Sequence, residues 1–268
     1  MQASKMQGTQ MPATELNISA IPAFQDNYIW LLKGTGSACA VVDPGDAQPV
    51  IDELKRQGLE LRYILLTHHH WDHAGGVPAL LKQYDAEVFG PDDARIEGSQ
   101  HLCHEGDTIE LPELNASFAV LEVPAHTTSH IAFYGEGMLF SGDTLFSIGC
   151  GRLFEGSPKN MQVAMDKFAA LPADTKVYCG HEYTLSNCEF ALQVEPDNEV
   201  LKARHAEAQQ LRASGKITLP SSIAAEIAAN PFMRTRKDAV VKSARMKHPD
   251  CQPGSEVLAV IRSWKDSL

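Results

Sequence analysis

Thr67-His68-His69-His70-Trp71-Asp72-His73 follows directly on the apolar run Tyr63-Ile64-Leu65-Leu66, and this junction decides the reading of the chain. A short aliphatic and aromatic run of this kind reads as a buried strand, so the histidines begin where the strand ends. His68 and His70 stand at i and i+2, which turns both rings to one side of an extended segment. Asp72 and His73 fall where the chain should turn into a helix, and there they can face a second ion from the opposite edge. A metal site takes three or four protein ligands, usually gathered from distant segments. Here one stretch offers four donors within six residues.

Three further donors stand at comparable places. His126 follows the strand-like segment 118–123 and the turn Pro124-Ala125, Asp143 follows 138–141 and Gly142, and His181 follows 176–179 and Gly180. Each comes at the C-terminal end of a strand, and converging strand ends are how open α/β sheets build sites. Seven imidazoles and carboxylates are too many for one catalytic ion that keeps a position open; they suit two ions with a shared ligand. His69 lies on the wrong parity and Trp71 is bulky, so both are expected to pack or orient rather than ligate. His130 is expected to steady Asp143 or a metal ligand through its ring. His101, His104, His205 and His248 read as surface or structural residues.

The bulk numbers bound the class. A chain of 268 residues with 44% hydrophobic and 21% charged content is an ordinary globular protein, long enough for a large domain and a smaller one. A formal net charge of -11 argues against non-specific binding to nucleic acid or to a membrane surface. No apolar run approaches the ~20 residues needed to span a bilayer, and the first twenty residues lack the pattern of a secretion signal. Six cysteines without a CxxC pair then read as reduced thiols in a cytoplasmic protein, and a monomer is expected. The polar stretch 1–14 is expected to be a disordered extension.

Along the chain, strands are expected at 16–21, 28–33, 39–42, 62–66, 87–89, 108–111, 117–123, 131–134, 138–141 and 176–179. Helices are expected at 47–57, stopped by Gly58, from Val77 to about Gln83, and at 159–170. After His181 only helical patterns appear, at 184–194, 198–213, 221–229, 236–246 and 255–265. The organisation expected is therefore a mixed α/β domain over 15–183 and a helical domain over 184–268.

The motif Thr67-His68-x-His70-x-Asp72-His73, the downstream His126, the aspartate of Ser141-Gly142-Asp143-Thr144-Leu145-Phe146 and the histidine of Cys179-Gly180-His181-Glu182-Tyr183 together resemble the metallo-β-lactamase superfamily. Asn27-Tyr28, Gly149-Cys150-Gly151-Arg152, Phe154-Glu155-Gly156 and Asn230-Pro231-Phe232-Met233-Arg234 extend the resemblance over nearly the whole chain, to the glyoxalase II or hydroxyacylglutathione hydrolase family. The resemblance implies an αββα sandwich followed by an all-helical C-terminal domain. It implies His68, His70 and His126 on one divalent ion, Asp72, His73 and His181 on the other, and Asp143 between them. Zinc is expected, with iron or manganese accepted by the same donors.

The activity implied is hydrolysis of S-(2-hydroxyacyl)glutathione thioesters, S-D-lactoylglutathione to D-lactate and glutathione, the second step of methylglyoxal detoxification. A hydroxide shared by the two ions would attack the carbonyl, with Asp72 and Asp143 as the catalytic carboxylates. Glutathione thioesters are anions, and by resemblance Arg152, Arg262 and Lys265 match positions that grip the glycine carboxylate, with Tyr183 and Asn187 as the remaining peptide contacts. Phe154 stands where many relatives have tyrosine, so one hydroxyl contact is missing; Ala125 and Ser129 stand where glycine is common. Two alternatives remain at this level: a persulfide dioxygenase with one iron, or a lactonase or phosphodiesterase on the same scaffold.

Overall fold

A strand that is apolar at every position forms where both faces of its sheet are covered, and Tyr28-Ile29-Trp30-Leu31-Leu32 is such a strand. Trp30 and Leu32 point into one hydrophobic core and Ile29 and Leu31 into another, the period-two alternation of a pleated strand. The computed structural model describes residues 16–268, and the extension expected at 1–14 lies outside them. One sheet runs in the order β1 (Asn17–Ala23), β2 (Asn27–Lys33), β3 (Ala38–Val42), β4 (Glu60–Leu65), β5 (Glu87–Pro91) and β6 (His101–Cys103). The first three strands are antiparallel and the rest parallel. The crossover from β3 to β4 is helix α1 (Ala47–Gln57). Asp46 caps its start by accepting from Gln48 N at 3.0 Å, and Gly58 ends it at φ 66°, a conformation that costs glycine no steric strain. Two short helices, α2 (Trp71–Ala74) and α3 (Val77–Leu81), follow β4.

The second sheet contains β7 (Thr108–Leu111), β8 (Ala116–Glu122), β9 (Ile131–Gly135) and β10 (Met138–Gly142). A hairpin of β11 (Leu145–Phe146) and β12 (Gly149–Cys150) follows, then helix α4 (Pro158–Ala169) and β13 (Lys176–Cys179), which lies parallel to β10. The two sheets face each other across a core that includes Trp30, Leu65, Phe118, Phe133 and Phe140. Helices α1 and α3 cover the outer face of the first sheet, and α4 with the later helices covers the outer face of the second. This is the αββα sandwich. Its C-terminal region carries α5 (Thr184–Val194), α6 (Glu199–Ala213), β14 (Ser221–Ser222), α7 (Ile223–Ala229), α8 (Asp238–Lys247) and α9 (Ser255–Asp266).

One expectation is corrected here. The helical pattern over 221–229 starts two residues late, because Ser221 and Ser222 pair with Val177 and Lys176 as an edge strand of the second sheet. Ser222 then caps α7 by accepting from Ala225 N at 3.2 Å. The C-terminal region is therefore helical except for one strand. None of the helices among the described residues is long and apolar enough to cross a membrane.

Candidate metal centre and substrate cavity

β4 delivers the histidine run to the rim of the sandwich, and the turn after β3 fixes where the run goes. Asp43, at φ 53°, accepts from Thr67 N and Thr67 Oγ1, both at 2.8 Å, and so ties the end of β3 to the start of the run. Gly45 lets the chain pass so close that a Cβ there would sit 1.9 Å from Asp72 O. The strand ends then converge as expected from the sequence. His126 Nε2 lies 3.1 Å from His70 Nδ1, and His73 Nε2 lies 3.3 Å from His181 Nε2. Asp143 sits among them, with Oδ1 3.3 Å from His73 Nε2 and Oδ2 3.3 Å from His181 Nε2 and 3.6 Å from His126 Nε2. Gly180 has to lack a side chain, since a Cβ there would lie 2.7 Å from Asp143 Oδ1.

The outer nitrogens of these rings are committed, which fixes what the inner ones can do. His73 Nδ1 meets Asp43 Oδ2 at 3.1 Å, His181 Nδ1 meets Asp26 Oδ1 at 2.8 Å, and His126 Nδ1 donates to Arg152 O at 2.8 Å. With the proton of each neutral ring held on Nδ1 by an acceptor, Nε2 turns a lone pair inward. Lone pairs facing at 3.3 Å repel unless a proton or a cation stands between them. Burial alone would push His73 down, but Asp143, the hydrogen bond to Asp43 and the Asp72 charge hold it up at about 9. The same imidazoles keep the buried Asp143 carboxyl far below the usual range. Burial, with His126 and His69 beside it, pushes His70 down to about 4, and burial also lowers His68 and His126. Among the described residues, His68 Nε2 is buried without a hydrogen-bond partner. This donor set fits divalent cations.

Two sets of donor atoms lie within 4.8 Å of one another and could each hold an ion: His68, His70 and His126, and Asp72, His73 and His181. An overlapping set of Asp43, His68 and His73 also meets that distance, yet both Asp43 oxygens are already engaged by Thr67 and His73. Asp43 therefore serves as an anchor. His130 accepts from Asp143 N through Nε2 at 3.1 Å, steadying that turn. His69 points away from the donors, with Nδ1 3.5 Å from Asp93 and Nε2 3.7 Å from Glu155. Trp71 is exposed and meets Phe24 edge-on.

A cavity of about 380 Å³ opens from His126 and Asp143. Arg152, Tyr183, Asn187, Arg262 and Lys265 all line it. Tyr183 stacks on His181 with ring centroids 4.7 Å apart. Phe154, largely exposed, meets His126 edge-on at 5.2 Å. Arg262 is almost fully buried: Nη1 donates to Cys150 O at 2.9 Å and Nη2 to Asp266 Oδ1 at 2.8 Å, while Nε has no partner among the described residues. Lys265 Nζ donates to Asn187 Oδ1. Burial, with the Arg262 charge beside it, lowers Lys265 to about 8. The sequence reading missed Asp26, Asp43 and the Asn27 side chain, which donates to Asp72 Oδ2 at 3.0 Å. Asp43 carried a signal as a carboxylate directly after a buried strand, and Asn27 as part of the Asn27-Tyr28 stretch of the resemblance.

Comparison with known proteins agrees with this geometry. Residues 23–181 match the model of the metallo-beta-lactamase superfamily, and residues 182–268 match the hydroxyacylglutathione hydrolase C-terminus. The chain is 50% identical to a hydroxyacylglutathione hydrolase of Pseudomonas fluorescens (strain SBW25), covering 94% of this chain and 100% of that one. It is 49% identical to the protein of the same name from Methylobacillus flagellatus, covering 93% and 98%. Among solved structures, the BLEG-1 B3 metallo-beta-lactamase superposes with a TM-score of 0.62 at 24% identity over 81% of this chain and 99% of that one. ETHE1 from Myxococcus xanthus does so with 0.63 at 20% identity over 94% and 99%. These last two likenesses are of fold.

Proposed function

The chain belongs to the hydroxyacylglutathione hydrolase family of the metallo-β-lactamase superfamily, and from that membership we propose that it hydrolyses S-(2-hydroxyacyl)glutathione thioesters, S-D-lactoylglutathione foremost. The observation that carries this reading is the single cavity that joins Asp143 and His126 to the cations Arg152, Arg262 and Lys265. In this proposal His68, His70 and His126 would hold one ion, Asp72, His73 and His181 a second, and Asp143 would serve both. We take the ions to be zinc, and the protein to be a cytoplasmic monomer. Two divalent ions supply a water acidic enough to ionise near neutral pH and Lewis acidity toward a carbonyl oxygen.

The protein's own residues do the rest. Asp43, Asp26 and the Arg152 carbonyl hold three imidazoles with Nε2 turned inward, so the donors need no rearrangement. Asn27 fixes the Asp72 carboxylate beside His73 and His181, where it can take the proton released as water adds. Arg262, Lys265 and Arg152 bind the glycine carboxylate, which sets the thioester carbonyl over Asp143. A thiol leaves with an unperturbed pKa near ~8.5, so the departing glutathione sulfur needs no general acid. Cys150 is a wall residue rather than a nucleophile, because burial raises its thiol. The donor sets on either side of one carboxylate favour this hydrolysis over oxidation chemistry at a single iron.

The test is turnover of S-D-lactoylglutathione by metal-loaded and by chelated protein. Rapid, metal-dependent hydrolysis is expected; no turnover with metal bound would discard the substrate and direct the search to lactones and phosphodiesters. A pH dependence follows from Lys265. Its charged form binds the anion, so affinity is full below the free-enzyme value of about 8 and declines as pH rises through it. KM is expected to be flat from pH 6.5 to 7.5 and to rise by roughly three- to tenfold at pH 9, with kcat little changed. The Lys265→Arg variant, charged throughout, should lose that rise; a rise that persists in it would assign the titration to another group.

A further inference from the structure

The hairpin β11–β12 forms one wall of the cavity through Phe146 and Cys150 and leads directly into Arg152. Its turn carries Ile148 at φ 60°, a left-handed conformation that a β-branched residue adopts only when its surroundings impose it. The surroundings here come from the C-terminal region. Ile148 is fully buried against Cys188, Ala191, Leu201 and Ala229. The hairpin's backbone polar groups are met by side chains of that same region. Asn187 Nδ2 donates to Ser147 O at 2.9 Å, Asn230 Nδ2 to Gly149 O at 3.0 Å, and Arg262 Nη1 to Cys150 O at 2.9 Å. The backbone donor at the strained residue, Ile148 N, finds Glu226 Oε2 at 2.8 Å.

Glu226 is fully buried and lies outside the cavity. Its Oε2 also accepts from Asn230 Nδ2 at 2.9 Å, and Oε1 accepts from Ser221 Oγ. We propose that Glu226 is a positioning residue for substrate binding, acting through Ile148 to hold the strained hairpin that carries the Cys150–Arg152 wall of the cavity. The assignment of that wall to glutathione rests on the function proposed above; the clamp itself does not. A side chain that merely filled the core would need no acceptor aimed at a left-handed residue. By this reading the C-terminal region shapes the cavity from behind as well as lining it with cations.

The hydrogen bonds suggest a pair of variants. In Glu226→Gln the amide oxygen can take the place of Oε2 and accept from both Ile148 N and Asn230, while the amide nitrogen donates to Ser221 Oγ. In Glu226→Met the volume is kept, and the acceptor is lost, which leaves Ile148 N buried and unpaired. Two readouts follow: hydrogen exchange of the segment 144–152, and kcat and KM for S-D-lactoylglutathione. Glu226→Met is expected to speed exchange in that segment selectively and to raise KM about tenfold with kcat within about threefold, while Glu226→Gln stays near wild type. Exchange in 144–152 unchanged in Glu226→Met, or Gln as damaging as Met, would overturn the clamp. Local exchange with an unchanged KM would overturn its role in binding. If wild-type protein does not hydrolyse the thioester, the substrate reading fails, and hydrogen exchange still decides the clamp. Should Glu226→Met not fold, the wild-type Ile148 amide decides: it should exchange as slowly as the β10 amides, and exchange at the rate of an exposed loop would sink the proposal.

Discussion

Asp143→Ala is expected to lower kcat/KM by about 10³-fold or more, ~4 kcal/mol of transition-state stabilisation, and to lower bound metal in the same preparation. The geometry explains why the two losses go together. The carboxylate has one oxygen toward His73 and the other toward His181 and His126, so it is an anion placed between the two donor sets. Removing it leaves inward-facing imidazoles with no negative charge between them, and cations are then repelled by one another without a shared counter-charge. Asp143→Asn separates charge from shape, because it keeps the size and the Asp143 N to His130 hydrogen bond. It should lose most of the activity as well, with a smaller loss of thermal stability than alanine. Metal analysis beside steady-state kinetics checks this. An alanine variant that retained both its metal and its turnover would remove Asp143 from the centre.

How much of this was legible in the sequence depends on how local each feature is. The histidine run and the three strand-end donors could be read because a buried strand, a small residue and a polar side chain are neighbours in sequence. The anchors were harder. Asp43 lies 24 residues before Thr67 and Asp26 lies 155 residues before His181, and no periodicity links such pairs. The short strands β6, β11, β12 and β14 also escaped. Two or three residues carry no alternation to detect, and each is a strand only because an edge of backbone stands beside it. Helix α1, by contrast, was fixed by its own sequence, from the Asp46 cap to Gly58.

Arg262 shows how much of a residue's setting lies beyond its sequence. Its i, i+3 relation to Lys265 predicted a shared face, and both side chains do line the cavity. The sequence could not show that the guanidinium is buried beneath that face, clamped to Cys150 O and Asp266 and lying 5.3 Å from the Phe232 ring. It is a strut as well as a cation, and a variant must be judged on both counts. Arg262→Ala is expected to raise KM by roughly 30-fold, ~2 kcal/mol, since a hydrogen bond to a charged group is typically worth ~1.5–3 kcal/mol, with kcat within about threefold. It should also lower Tm by several degrees, because Cys150 O loses its donor inside the protein. Arg262→Lys separates the two roles. It keeps the charge and loses the fork that reaches Cys150 O and Asp266 at once, so it should recover much of the KM and little of the Tm. Steady-state kinetics and thermal melts on both variants measure this. A fall in Tm with an unchanged KM in Arg262→Ala would make the residue a strut alone, and substrate anion binding would then fall to Lys265 and Arg152.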